Sequence, residues 1–185
     1  MNYSTGEFHK NISDNIAALY VRSDSIYKSL LIDCYDIQRD ARNFTGSKPV
    51  IAHPPCRAWG RLRAFAKPRT DERELAFHAL SVVRNNGGIL EHPANSSFWK
   101  TAALSRPGIR DDYDVITYVI DQSWFGHPAP KRTYLYCVGI HAFPTVNFHL
   151  GTAQGRVQNQ SKPAREKTPY LLACFLINTI NHNFL

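Results

Sequence analysis

The residue types best suited to chemistry sit where apolar runs stop. Val50-Ile51-Ala52 gives way to His53-Pro54-Pro55-Cys56. Prolines hold the chain extended and withhold backbone donors, so they present the next side chain in a set place. Cys56 is thus a presented thiol, with Arg57, Arg61 and Arg63 close behind. Nearby cations favour the thiolate, the nucleophilic form. The plain alternative is a half-buried loop thiol without a role. Ile89-Leu90 runs in the same way into Glu91-His92-Pro93. A thiol that adds to a conjugated ring, beside an acid that protonates or hydrogen-bonds a ring nitrogen, makes a coherent catalytic pair. Glu91 reads equally well as a helix cap or ion-pair partner.

Three His-Pro dipeptides support a different chemistry. His53, His92 and His127 each precede a proline near a strand end or a turn. Together with Cys56 they would make a donor set for zinc or another divalent ion, with metal-activated water as the reagent. No compact ligand motif such as H-E-x-x-H accompanies them. The segment Arg57-Ala58-Trp59-Gly60-Arg61-Leu62-Arg63 interleaves cations with an aromatic. Such a segment can grip phosphates while the ring stacks on a base, although a tryptophan there is also a natural core residue. Lys131-Arg132 adds basic surface, and Lys162, Arg165 and Lys167 form a solvated basic patch that could also help phosphate contact. Trp99 and Trp124 are expected in the core.

These stops need elements to hold them. Ala17–Val21 reads as a buried strand, followed by a helix capped by Ser23 or Asp24 with Ile26, Leu30 and Leu31 on its apolar face. Leu31–Asp36 is a second strand ending in acid, and Asp36 is either a ribose-hydroxyl acceptor or a cap. Leu75, Ala79, Leu80 and Val83 share one face of a helix over 71–85, which Asn86-Gly87-Gly88 stops. Strands follow at 89–93, 115–120 and 133–140, and Thr168-Pro169 opens a last helix. Alternating strands and helices predict an α/β domain whose site lies at the carboxyl ends of the strands. Residues 1–14 are expected to be flexible and 15–185 to form a single domain.

The order of motifs resembles the catalytic half of DNA cytosine-5 methyltransferases. Pro54-Pro55-Cys56 is similar to the family's Pro-Cys, whose thiol attacks C6 of cytosine. Glu91-His92-Pro93 stands where the family has Glu-Asn-Val or Glu-Asn-Pro, whose Glu engages ring N3. The run from Trp124-Phe125-Gly126 to Lys131-Arg132-Thr133 has the outline of a later motif, in which Arg132 matches an arginine. The resemblance covers about residues 48–140, with an echo at 168–178. It implies a Rossmann-like methyltransferase-type sheet with flanking helices. It also implies catalytic roles for Cys56, Glu91 and Arg132, and S-adenosylmethionine as cofactor near Ser23, Asp24, Asp36 and Pro54. DNA contact falls to Arg57, Trp59, Arg61, Arg63 and Lys131. The chain departs from the family where a glycine-rich cofactor loop belongs: Val21-Arg22-Ser23-Asp24-Ser25 has no glycine. No large target-recognition domain fits in residues 140–167. The His53–Gly60 run also resembles that of small phage and prophage proteins.

Composition sets outer bounds. The 185 residues carry 22 Lys and Arg against 15 Asp and Glu, for a net charge of +7, which favours an anionic partner such as DNA or a nucleotide. Hydrophobic residues at 43% exclude a wholly disordered chain. No apolar run reaches membrane-spanning length. The amino terminus lacks a secretion-signal pattern, and four scattered cysteines do not make a disulfide scaffold, so a cytoplasmic setting is expected. Three functions remain open. One is a nucleobase-modifying, methyltransferase-like enzyme. Another is a catalytically inactive DNA-binding, anti-restriction protein of similar form. The third is a nucleotide-processing glycosyl-transfer or metal-dependent hydrolytic enzyme.

Overall fold

Six short strands form the spine of the chain in a computed structural model that describes residues 15–60, 63–145 and 155–184. They are β1 (Ala17–Leu19), β2 (Asp33–Tyr35), β3 (Val50–Ala52), β4 (Gly88–Pro93), β5 (Ile116–Asp121) and β6 (Arg132–Val138). Their order across the sheet is β2-β1-β3-β4-β6-β5. The first four are parallel, and β6 runs antiparallel to both β4 and β5. The fold is therefore mixed α/β within one domain. The expected segment 1–14 lies outside the described residues.

Helices cover both faces. One carries α1 (Ile26–Ser29) and α5 (Tyr170–Phe184), the other α2 (Glu72–Asn86) and α3 (Phe98–Thr101). A short α4 (Lys162–Glu166) precedes α5. In α2, Leu75, Ala76, Ala79, Leu80 and Val83 are buried at helical spacing, and Glu72 and Glu74 in the first turn suit the helix dipole. Gly87 ends it at a positive φ of 79°. The next residue, Gly88 (φ 115°), starts β4 so close to its neighbour that a Cβ would stand 2.0 Å from the Val50 carbonyl oxygen. Only glycine fits that approach.

Two local expectations change. The cap of α1 is Ser25, which accepts from the Tyr27 N–H, and not Ser23 or Asp24. β1 ends at Leu19 because Tyr20 turns to a left-handed φ of 60°. That turn swings the following segment across the top of the sheet.

Sheet order identifies the place for a site. From β1 the chain moves outward to β2 on one side, with α1 on one face. From β3 it moves to β4 on the other side, with α2 on the opposite face. The winding therefore reverses between β1 and β3. At such a switch point the loops diverge above the strand ends and leave a crevice.

Candidate active site

A cleft of about 990 Å³ opens at this point, of a size that takes small-molecule ligands. The segments after β1 and β3 line it, together with Asp36, Glu91, His127, Lys131 and α4. Cys56 and Glu91 thus share one cleft.

Strand register builds the centre. Ala52 lies opposite Leu90 in the parallel β3–β4 pair. The next residue on each strand, His53 and Glu91, therefore falls on the same face as its neighbour. His53 Nδ1 donates to Glu91 Oε2 at 2.9 Å, and His53 Nε2 and the Tyr27 hydroxyl are hydrogen-bonded at 3.0 Å. From the far side, Gln122 Nε2 donates to Glu91 Oε1 at 3.0 Å and to Thr133 Oγ1 at 3.1 Å. Both carboxylate oxygens are occupied, by partners from opposite sides.

This setting fixes the protonation states. Burial works against ionising Glu91, but the hydrogen bond and charge of His53, helped by Lys131, outweigh it and bring the carboxyl to about 2. Glu91 is a carboxylate at neutral pH and accepts hydrogen bonds. Of the two roles expected of Glu91, protonating or hydrogen-bonding a ring, an ionised carboxylate suits the second. Burial, then the charge of Glu91, pushes the Tyr27 hydroxyl well up, so it stays a donor.

Cys56 brings a correction. Burial and then the negative charge of Glu91 raise its thiol above the ordinary value, and Lys131 only partly offsets them. The neighbouring arginines do not act as expected. Arg57 is paired with the buried Glu72 at the start of α2. Arg63 is exposed and off the cleft wall, and Arg61 lies outside the described residues.

Other expected site residues are placed as follows. Trp59 is fully buried against Phe77 and Phe98, with Arg73 over its ring, so it presents no face to a base. Arg132 is exposed and off the cleft wall, and its neighbour Lys131 lies on it. Ser23 is exposed and off the wall, whereas Asp24, Asp36 and Pro54 are on it.

The residues fit S-adenosylmethionine poorly. Asp36 holds Lys28 Nζ at 2.6 Å through one oxygen, and the N–H groups of Gln38 and Arg39 at 2.9 and 3.1 Å through the other. It serves as the cap of its own turn. The segment after β1 offers no glycine, and its Arg22 is tied to Asp24 and to Glu166 of α4, each at 2.7 Å.

The three histidines do not assemble. Among the described residues no three His, Cys, Asp or Glu side chains are gathered as a metal ligand set. His92 alternates with Glu91 along β4 and so faces the other side of the sheet, where it packs on Phe98 and Trp99. Burial lowers its pKa from 6.5 to about 4, and it is neutral in the folded chain. Between those values the unfolded chain binds a proton that the folded chain does not, so stability falls as pH drops through that window. Replacing His92 by Phe suits the aromatic cluster and removes that loss. Thermal melts at pH 7 and pH 4.5 are expected to differ by several degrees less, roughly 5 °C, in His92→Phe than in the wild type.

Two features of the site had no sequence signal: Tyr27 and Gln122 read as ordinary helix and turn residues. Lys162, Arg165 and Lys167, read as a solvated basic patch that could help phosphate contact, line the cleft. No known family model matches the chain, and no curated protein matches it either.

Proposed function

We propose that the chain activates a pyrimidine nucleobase, cytosine in DNA or in a nucleotide, by covalent addition of Cys56. The observation that carries this reading is the shared cleft: a presented thiol and an ionised, doubly braced carboxylate line one pocket at the switch point. The thiol sulfur bonds to C6, and the electron pair of the 5,6 double bond moves to C5. C5 then takes a proton from water. Loss of the other C5 hydrogen and departure of the thiolate restore the ring. Glu91 accepts a hydrogen bond from the exocyclic amino group, which orients the base. The thiol is protonated in the free cleft. As its sulfur bonds to C6, its proton passes to the hydroxide left when water protonates C5. The C5 proton lost on elimination goes through water to the departing thiolate.

The fuller reading is a methyltransferase-like fold whose reaction ends in methyl transfer from S-adenosylmethionine. It rests on the motif resemblance and on the site's position at the strand ends. Since the loop after β1 gives that cofactor no cradle, the addition step stands without it. Four free thiols suit the reducing cytoplasm. A DNA-binding protein without chemistry is the second reading, favoured by the raised Cys56 thiol and the engaged Asp36.

The addition step has its own assay. Cytosine tritiated at C5 should release tritium to water when incubated with the protein, as the free nucleotide or in single- or double-stranded DNA. Release above the protein-free rate supports the reading. No release from any of these substrates, with the protein folded, overturns it and leaves the binding reading.

A further inference from the structure

The cleft has a second wall whose charges the addition chemistry does not use. Four cationic groups on its rim are already committed: Arg22 to Asp24 and Glu166, Arg42 to Asp40 and Asp71, Arg57 to Glu72 and Arg69 to Asp71. Lys162, Arg165 and Lys167 line the same cleft and make no ion pair among the described residues. The Arg22–Glu166 bridge holds their helix against the segment after β1. Glu166 of α4 and Cys56 line the same cleft.

An independent feature belongs to the facing wall. His127 is buried, and its Nδ1 lies 2.6 Å from the Ala129 carbonyl oxygen and 3.2 Å from the Ala129 backbone nitrogen. Its Nε2 is buried without a partner among the described residues, in a residue that lines the cleft. A buried polar atom left unpaired is costly, and a ligand group would satisfy it.

We infer that Lys162, Arg165 and Lys167 form a phosphate subsite, so that the substrate is a phosphorylated nucleoside and not a bare nucleoside. A phosphate group on this wall gives the loose cations charge-assisted partners. A sugar hydroxyl, which both donates and accepts, is a partner of the kind His127 Nε2 lacks. The inference rests on the nucleobase reading for the base, while the anion contact stands by itself. The phosphate has two sources, a free mononucleotide or the backbone of a single strand.

The test compares the full chain with a Lys162→Gln/Arg165→Gln double variant. Lys162 is exposed and Arg165 half-buried, and neither makes an ion pair among the described residues, so a melt should show an unchanged fold. Equilibrium binding is measured for deoxycytidine, deoxycytidine 5′-monophosphate, inorganic phosphate and a short oligo(dC). The wild type is expected to prefer the monophosphate over the nucleoside by about tenfold. Inorganic phosphate should compete, and the double variant should lose most of the preference. Tighter binding of oligo(dC) than of the monophosphate, lost in the same variant, assigns the phosphate to a strand. The reverse order assigns it to a free nucleotide. Equal affinity for nucleoside and monophosphate in the wild type overturns the subsite, even if tritium is released from deoxycytidine. Phosphate binding that the double variant loses, with no binding of deoxycytidine, keeps the subsite and removes the nucleobase reading.

Discussion

Cys56→Ala is expected to abolish tritium release from C5 of cytosine, with a loss of at least about 10³-fold, while leaving the fold intact. In the proposed addition the sulfur is the atom that bonds to C6, and no other described residue on the cleft wall carries a thiol. Removing a covalent nucleophile removes the route and not merely its efficiency. The side chain is only half-buried, so truncation costs little stability. The melting temperature is expected to move by no more than a few degrees. Wild-type turnover should also climb with pH from neutrality upward, because burial and Glu91 hold the thiol above its ordinary value. Intact-mass spectrometry of the wild type with substrate should show an adduct that Cys56→Ala lacks. Turnover retained in Cys56→Ala would dismiss Cys56 as the nucleophile.

Glu91→Leu is expected to remove activity and to destabilise the fold by about 3–5 kcal/mol. The change deletes one member of a buried pair and leaves His53 Nδ1 and Gln122 Nε2 without their acceptor. Pairing the change with His53→Phe should recover part of the loss, because the orphaned donor goes too. Acid melts carry a second signature. The folded carboxyl sits at about 2 against 4.5 in the unfolded chain. Its contribution is therefore complete above about pH 4.5 and disappears as pH falls toward 2, a span worth about 3 kcal/mol. The gap between wild type and variant should be widest near neutrality and narrow at low pH. A gap that is constant with pH would show that Glu91 is not held ionised by the fold.

Much of the frame could be read from residue order. Val50-Ile51-Ala52 before two prolines, the face of α2, and Ile89-Leu90 before Glu91 all became the expected elements. The centre of the site could not be read that way. His53 and Glu91 meet because Ala52 is opposite Leu90, and register between distant strands has no local signature. The same absence hid Gln122, which reaches Glu91 only because β6 is inserted between β4 and β5. Trp59 misled in the other direction. Its basic neighbours suggested a stacking ring, but the rings of Phe77 and Phe98, remote in sequence, claim it for the core. The sign of the Cys56 shift depended on burial, which a count of nearby arginines does not measure.

The bracing of Glu91 from both sides also bears on how the chain folds. His53 closes off β3, and Gln122 begins the turn after β5, so the two donors arrive by separate routes. The β5–β6 hairpin can zip early from local contacts, whereas parallel pairing of β3 with β4 must close a long loop through α2. The β6–β4 seam then joins the two halves. Only after that last docking does the carboxylate have both partners. The cleft centre is thus a reporter of completed assembly, and a half-docked chain would hold a bare carboxylate in a gap open to water.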